Sequence, residues 1–181
     1  MVYLINVKKL LYDVCFCFTN YFIAYIPIWQ IRKVLYKLMG LKIGEKSRIN
    51  MRTTIYSPWK VQIGTSTLIN EKVLLDGRGG LTLGNNCSVS VGAVVFSSSH
   101  YTSSSEFKGF SKKTIIEIGV WLCANSIVLP GSIVKNNCII GANSVYKGIS
   151  KPNMIYQGNP AVLIRARSAE EIHMEIKFFF R

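Results

Sequence analysis

Bulky apolar residues recur at every sixth position along most of the chain. The longest run comprises Ile116, Leu122, Val128, Val134, Ile140 and Tyr146, and nearly every residue four places after the first five is small. Three shorter runs have the same spacing: Ile43, Ile49, Ile55; Ile63, Ile69, Leu75; and Leu83, Val89, Val95. An amphipathic helix repeats its apolar face every three or four residues, so a period of six predicts a short strand followed by a corner.

Three such hexads return the chain to its starting side and complete one coil of a solenoid. The bulky residues then stack inside, the small residues fit the corners, and successive coils pair at roughly 4.8 Å. No coil buries its apolar face alone, so stacking supplies the core. The predicted coils are 43–60, 63–80, 83–100, 116–133 and 134–151.

The chain therefore divides into a repeat region, 43–151, and two flanking segments, 1–42 and 152–181. The repeat region is interrupted by residues 101–115, an excursion rich in Ser and Lys. An insertion at one corner of a regular solenoid is more often functional than idle.

The N-terminal segment 1–42 is apolar and basic. Its uncharged run from Val14 to Ile31 approaches the length of a membrane span, but Asn20, Pro27 and Gln30 interrupt it. We expect a helical cap packed on the coils, and a peripheral membrane contact through residues 1–40 is the alternative left open.

A helix is predicted between Pro27 and Gly40, residue types that suit its first turn and its C-terminal end. Its predicted inner face carries Ile28, Ile31, Leu35 and Leu38, with Arg32, Lys33 and Lys37 pointing elsewhere.

The C-terminal segment opens with a capping-box pattern, Ser168 to Glu171, which predicts a short helix. His173 falls in this predicted helix and is expected to have no catalytic role. Phe178 to Phe180 are expected to pack on the coils or on a neighbour.

Particular motifs within the repeats resemble those of the hexapeptide-repeat acyltransferases. They run from Ile116-Glu-Ile-Gly-Val-Trp121 through Leu129-Pro-Gly131 and Ile140-Gly-Ala-Asn-Ser144 to Gly158-Asn-Pro-Ala161, followed by Ile164-Arg165. The resemblance covers about residues 25–167. The Tyr56-Ser-Pro-Trp59 corner and the spacing from Gly84 to His100 look most like capsule, colanic-acid and O-antigen O-acetyltransferases.

The resemblance implies an all-β fold: a left-handed parallel β-helix of about five triangular coils, with an N-terminal helical segment and a short C-terminal helix. It also implies a homotrimer with each site in the cleft between adjacent prisms. Acetyl-CoA would be a co-substrate, and no cofactor would be bound permanently.

His100 is the candidate general base, because it is the only histidine in the repeats and matches the catalytic position of the family. Acyl transfer to a hydroxyl needs a base that works near neutral pH, and imidazole does. A solvated loop histidine is the alternative.

Asp76, one coil below, matches a family aspartate that would orient the ring and touch the substrate, but a turn aspartate with no such role is equally favoured. Glu106 is the rival partner.

The resemblance assigns further residues to the two substrates. Trp121 matches a tryptophan beside the acceptor pocket, although an aromatic filling a subunit interface is an equal alternative. The Ala124 backbone N–H would lie at the thioester. Residues expected along the coenzyme path are Ala142, Ser144, Lys147 and Arg165. The family's basic residue after the GNPA motif is Val162 here.

Composition and charge narrow the choice of function. Of 181 residues 49% are hydrophobic and 17% charged, which excludes a disordered protein. The net charge of +13 suggests anionic partners, but the basic residues are scattered without a nucleic-acid motif, so no nucleic acid is expected. The five cysteines have no disulfide or metal-ligand spacing, which favours the cytoplasm, with association at the inner face of a bacterial membrane left open.

The predicted function is acetyl transfer from acetyl-CoA to a sugar hydroxyl in bacterial surface-polysaccharide synthesis. A zinc-dependent carbonic anhydrase uses the same solenoid but needs three histidine ligands, so no metal is expected. The alternatives are acetylation of a small free acceptor (a sugar, an amino acid or an antibiotic) and a catalytically inactive β-helix scaffold.

Overall fold

The computed structural model describes residues 7–172. From Lys42 onward the chain winds into three mainly parallel sheets around one apolar core. Sheet A contains β1 (Lys42–Ile43), β4 (Val61–Ile63), β7 (Leu81–Leu83), β12 (Thr114–Ile116) and β15 (Ile133–Val134). Sheet B contains β2 (Arg48–Ile49), β5 (Leu68–Ile69), β8 (Ser88–Val89), β13 (Trp121–Leu122), β16 (Ile139–Ile140), β18 (Met154–Gly158) and β19 (Ala161–Ala166). Sheet C contains β3 (Thr54–Tyr56), β6 (Leu74–Asp76), β9 (Val94–Val95), β14 (Ile127–Val128) and β17 (Val145–Tyr146).

The bulky residue of each hexad lies inside the prism, in register with its counterpart one coil away. Ile43 pairs with Ile63, and Ile63 pairs with Leu83. The predicted all-β solenoid and its coils are confirmed. A partial sixth coil follows, because β18 pairs in parallel with β16 and β19 then returns antiparallel.

A left-handed backbone conformation marks nearly every corner of the prism. At most corners the residue three places after the inward one has positive φ, as at Asn125 (55°), Asn137 (58°) and Asn143 (56°). Asparagine and glycine adopt this conformation at the least cost, and one of them occupies most of these corners. The next residue is small and buried, which lets the chain turn tightly.

Residues 101–115 include one arm of a β-hairpin. Strand β10 (Ser98–His100) pairs antiparallel with β11 (Gly109–Ser111), so that His100 lies opposite Gly109. Residues 101–108 form the tip, and Lys112 N–H closes the base on the carbonyl of Ser97 at 2.8 Å. The hairpin leaves the prism at the corner between sheets C and A.

The N-terminal segment forms two α-helices, which are joined by one π-helical turn and one 3-10 turn. Helix α1 (Val7–Cys17) continues into a π-helical turn (Phe18–Phe22) and a 3-10 turn (Ile23–Tyr25), and α2 (Trp29–Leu38) follows. None of the helices in residues 7–172 is long and apolar enough to cross a bilayer.

Two polar side chains of this segment bind backbone groups of the first coil on the side where no coil precedes it. The Asn20 amide donates to the carbonyl of Ile55 at 3.0 Å and accepts the N–H of the same residue at 2.7 Å. The Arg32 guanidinium donates to the carbonyls of Ile26 and, at 2.9 Å, Ile49. Both side chains therefore take the place of a coil that is absent below the first one.

The predicted inner face of α2 is correct for Leu35, which packs against the core, but wrong for the other three residues. Arg32 and Tyr36 are fully buried, whereas Ile28, Ile31 and Leu38 are exposed. The helix is rotated because a buried carbonyl without a partner costs more than an exposed apolar side chain.

The C-terminal capping box is confirmed. Ser168 N–H donates to the Glu171 carboxylate at 2.8 Å, and Glu171 N–H donates to the Ser168 hydroxyl at 3.3 Å. Helix α3 (Ala169–Ile172) begins there. His173, Phe178 to Phe180 and residues 1–6 lie outside the described residues.

We predict that Asn20→Ala lowers the free energy of unfolding by about 2–4 kcal/mol, because the N–H and carbonyl of Ile55 lose their partners in a buried place. Urea denaturation measures this change. The matched control is Gln30→Ala, an exposed residue of the same segment, which should change stability by less than about 0.5 kcal/mol. Equal stabilities for the two variants would contradict the edge-pairing role.

Candidate active site

His100 lies at the end of β10, where the hairpin leaves the prism. Its Nδ1 is 2.7 Å from the carbonyl oxygen of Phe107, across the hairpin tip. The Phe107 ring is stacked on the imidazole, with ring centroids 3.9 Å apart and an angle of 13° between the planes. The side chain is therefore held from two directions while remaining exposed.

The contact with Phe107 determines the tautomer of the neutral ring. A carbonyl oxygen only accepts hydrogen bonds, so Nδ1 carries the proton and Nε2 carries the lone pair. Nε2 makes no hydrogen bond to any residue from 7 to 172. This is the arrangement that a general base requires.

Asp76 lies one coil below, as predicted, but it does not hold the imidazole. One carboxylate oxygen accepts the N–H groups of Ser97 and Ser98 at 3.1 and 3.0 Å, at the start of β10. The other accepts both the N–H and the Nε–H of Arg78, at 3.0 and 2.9 Å. Asp76 is fully buried, so it positions the strand that carries His100 rather than the ring.

Burial alone would raise the pKa of Asp76, but hydrogen bonds from Arg78 and Ser97 outweigh it and lower the pKa below its usual value. The carboxylate is therefore ionised at neutral pH, and the pKa of Arg78 is raised in return by its hydrogen bonds to Asp76. The Arg78 guanidinium also lies 4.9 Å from the centre of the Tyr56 ring.

A cavity of about 480 Å³ opens beside His100. Its lining comprises Arg78, Ser98, Ser99, His100, Gly109, Phe110 and Ser111. The lining includes the Arg78 guanidinium and three serine residues, which suits a polar, hydroxylated ligand.

Glu106, the rival partner of His100, is exposed at the hairpin tip and makes no hydrogen bond or ion pair within residues 7–172. The ring is held instead by the carbonyl of its neighbour, Phe107. No residue type identifies a backbone acceptor in a sequence, so Phe107 could not have been found there. Arg78 carried a weak signal, since it follows Asp76 and Gly77 directly at a corner.

The remaining candidate residues lie on different edges of the prism. Trp121 is half-buried in sheet B and donates its indole N–H to the Ser90 hydroxyl at 2.9 Å. Ala124 lies at the next corner, between sheets B and C. Its N–H makes no hydrogen bond within residues 7–172. Neither residue lines the His100 cavity of its own chain.

The proposed coenzyme residues are similarly dispersed. Ala142 is exposed one coil above Ala124. Ser144 is buried, and its hydroxyl accepts the N–H of Gly158 at 3.0 Å, so it stabilises the final corner. Lys147 is exposed at the corner between sheets C and A, the one from which the His100 hairpin leaves two coils below.

Arg165 is on the antiparallel strand β19 and forms a paired contact with Glu171, at 2.8 and 2.9 Å. Its hydrogen bonds, with that of the Ser168 N–H, lower the pKa of Glu171 to about 2. Part of the donor capacity of Arg165 is therefore already used within the chain. Residues 7–172 contain no cluster of three or more His, Cys, Asp or Glu side chains that could bind a metal.

We predict that Asp76→Asn lowers the free energy of unfolding at pH 7 by about 2–4 kcal/mol, because an amide nitrogen would face the N–H groups of Ser97 and Ser98. The lowered pKa also gives the wild type stability that is present above about pH 4 and lost as pH falls through the pKa of the folded state.

Denaturation across the acid range measures both effects. The stability of Asp76→Asn should depend less on pH there than that of the wild type. Glu106→Gln serves as the control and should match the wild type throughout. If the free energies of unfolding of the wild type and Asp76→Asn fell equally as the pH is lowered, this carboxylate would not couple the second and third coils.

Comparison with known proteins adds relatives of named activity. The chain is 30% identical over 145 residues to Escherichia coli (strain K12) WcaF, provisionally named a colanic acid biosynthesis acetyltransferase, covering 80% of this chain and 79% of that protein. It is 40% identical over 60 residues to E. coli WbbJ, provisionally named a lipopolysaccharide biosynthesis O-acetyltransferase, covering 33% and 31%. No model of a protein family matches.

Among solved structures, a hexapeptide-repeat acetyltransferase of Vibrio cholerae, crystallised with acetyl coenzyme A, superposes with a TM-score of 0.82. The match covers 91% of both chains at 21% identity. It confirms the left-handed β-helix. Because WcaF is matched over most of its length, this chain belongs to the hexapeptide-repeat acetyltransferase family and is an acyltransferase.

Proposed function

We propose that this protein transfers an acetyl group from acetyl-CoA to a sugar hydroxyl during the synthesis of a bacterial surface polysaccharide, with His100 as general base. The observation that carries the proposal is the hydrogen bond from His100 Nδ1 to the Phe107 carbonyl. It keeps Nε2 unprotonated and exposed at the mouth of the cavity. We place the reaction in the cytoplasm.

The chemistry needs only two proton transfers at one nitrogen. Nε2 takes the proton of the acceptor hydroxyl while its oxygen attacks the thioester carbonyl, forming a tetrahedral intermediate. When the carbon–sulfur bond breaks, the imidazolium returns that proton to the leaving thiolate. The Phe107 carbonyl accepts from Nδ1 throughout, so it stabilises the imidazolium as it forms.

The choice of a saccharide acceptor rests on the relatives and on the cavity. WcaF and WbbJ are named for colanic acid and lipopolysaccharide biosynthesis. The cavity beside His100 offers Ser98 and Ser111, whose hydroxyls are 2.7 Å apart, and the Arg78 guanidinium. Such a lining can hydrogen-bond the hydroxyls of a sugar and also attract an acidic one.

We infer a homotrimer from the separation of the candidate residues. His100 extends from the corner between sheets C and A, whereas Trp121 and Ala124 lie on sheet B and its far corner. A three-fold arrangement of prisms would bring one edge of each chain against the other edge of its neighbour. Each site would then combine His100 of one protomer with the indole and the Ala124 N–H of the next.

The phosphates of coenzyme A would meet the exposed ammonium group of Lys147. This residue is on the same prism edge as the base and two coils above it, which suits a coenzyme extended along the edge. Arg165 would be a weaker contributor because of its pairing with Glu171.

His100→Asn is expected to reduce kcat/KM for acetyl transfer by about 10²–10⁴ without changing the free energy of unfolding. The asparagine amide can still donate to the Phe107 carbonyl, but it has no basic nitrogen. Free-thiol release from acetyl-CoA measures the rate, with free sugars, amino acids, antibiotics and cell-envelope glycan extract as acceptors.

Ser103→Ala, an exposed change at the hairpin tip, is the control for this experiment and should leave the rate unchanged. Unchanged release in His100→Asn would remove this residue from the mechanism. Release with a small free acceptor but not with glycan would replace the proposed substrate. No release with any acceptor would favour an inactive scaffold.

Lys147→Ala is expected to raise KM for acetyl-CoA about three- to tenfold while leaving kcat unchanged, since a phosphate contact is equal in the ground and transition states. Steady-state kinetics at saturating acceptor tests it. Lys72→Ala, an exposed lysine on a distant corner, is the control. A fall in kcat at unchanged KM would place Lys147 in the chemistry rather than in coenzyme binding.

A further inference from the structure

Large apolar side chains lie exposed along the whole N-terminal helical segment. They recur every three or four residues without a break: Val7, Leu10, Leu11, Val14, Phe18, Tyr21, Phe22, Tyr25, Ile28, Ile31, Val34 and Leu38. Their exposed fractions range from 40% at Phe18 to 76% at Leu38. We call this set the N-terminal apolar stripe. More than half of the large exposed apolar residues in the described chain belong to it.

On α1 the stripe is a second apolar face, separate from the one that packs on the prism. The inner face contacts the first coil through Tyr12, whose ring centroid is 6.0 Å from that of Trp59, and through Phe16, which stacks on Tyr56 at 5.0 Å. The outer residues of α1 occupy positions i, i+3, i+4 and i+7, which face away from Tyr12 and Phe16. No residue of α1 is buried.

Helix α2 repeats this arrangement. Arg32 and Tyr36 are buried on its inner side, and Ile31, Val34 and Leu38 form an exposed row on another side. A single stray apolar residue on a surface needs no explanation, but a continuous row over two helices marks an interaction surface. The prism packs against one face of each helix, and the opposite face is exposed and packs on no other part of residues 7–172.

The charges beside the stripe indicate the kind of partner. Lys8, Lys33, Lys37 and Lys42 accompany it, and Asp13 is the only acidic residue between Val7 and Lys42. A second copy of this surface would bring cations against cations, which is unfavourable. An apolar face flanked by lysines, with exposed Tyr and Phe side chains, matches the headgroup region of an anionic bilayer.

We propose that the N-terminal apolar stripe docks the protein on an anionic lipid bilayer, with α1 and α2 lying in the plane of the headgroups. The helical segment that carries the stripe covers the end of the prism at the first coil, and His100 extends from the third. Two coil spacings place the base roughly 10 Å further along the axis. A saccharide carried on a lipid at that surface would then come within reach of the cavity.

Vesicle flotation of the purified full chain tests the docking surface. We expect the wild type to float with vesicles of phosphatidylcholine containing about 30% phosphatidylglycerol, and much less with phosphatidylcholine alone or at about 0.5 M salt. The variant Leu11→Asn/Ile31→Asn/Leu38→Asn should partition about tenfold less or worse. These side chains are exposed, so the fold should persist, which circular dichroism checks.

Two controls make the result specific. Ile118→Asn removes an apolar side chain of similar exposure (49%) from the prism and should leave flotation unchanged. Lys8→Gln/Lys33→Gln/Lys37→Gln should weaken binding to anionic vesicles more than Lys72→Gln/Lys108→Gln/Lys113→Gln, which removes the same charge elsewhere.

Three results would overturn the proposal: a wild type that does not float with anionic vesicles, a stripe variant that floats like the wild type, or a stripe variant that only changes the oligomeric mass in light scattering. The last would show that a second copy covers the stripe. Flotation does not depend on acetyl transfer, so failure here would leave the proposed reaction standing, and the reverse also holds.

Discussion

The backbone pairing between successive coils is the interaction on which the rest of this structure depends. Each coil presents the N–H and carbonyl groups of three short strands to the next, and a coil without a neighbour would leave them unsatisfied. At the N-terminal end Asn20 and Arg32 supply the missing partners from side chains. At the other end β18 begins a further coil and β19 pairs with it antiparallel. Side chains therefore bind part of the exposed strand edge at the first coil, and an antiparallel strand covers β18 in sheet B at the last one.

The candidate site uses the same stacking to place its chemistry. Asp76 in the second coil binds the backbone of Ser97 and Ser98 in the third, so the direction of β10 is determined by a buried ionised carboxylate. The hairpin then folds back, and the carbonyl of Phe107 meets the imidazole of His100. Backbone groups at the base and at the tip of one hairpin therefore set the orientation of the base: the N–H groups of Ser97 and Ser98, and the carbonyl of Phe107.

The sequence predicts the repeats well because the inward residue of every hexad experiences the same local environment. Asn and Gly three places later carry a second signal of the same corners. The rotation of α2 could not be predicted, since burying Arg32 depends on which carbonyls the first coil leaves uncovered. Spacing and the match to a family aspartate placed Asp76 beside the third coil. Its partners there are the backbone N–H groups of Ser97 and Ser98, and no residue type in a sequence identifies a backbone donor. Phe107 holds His100 through its backbone carbonyl, which every residue has, so the sequence could not identify this contact either.

The most direct test of this account is the tautomer of His100, measured by nitrogen NMR on protein labelled with ¹⁵N-histidine. The chain has two histidines, so a spectrum of the His100→Asn variant assigns the signals. The account predicts that the neutral ring carries its proton on Nδ1 and leaves Nε2 unprotonated. A proton on Nε2 in the neutral ring would contradict it, because the nitrogen that faces the acceptor would then have no lone pair to take up the hydroxyl proton.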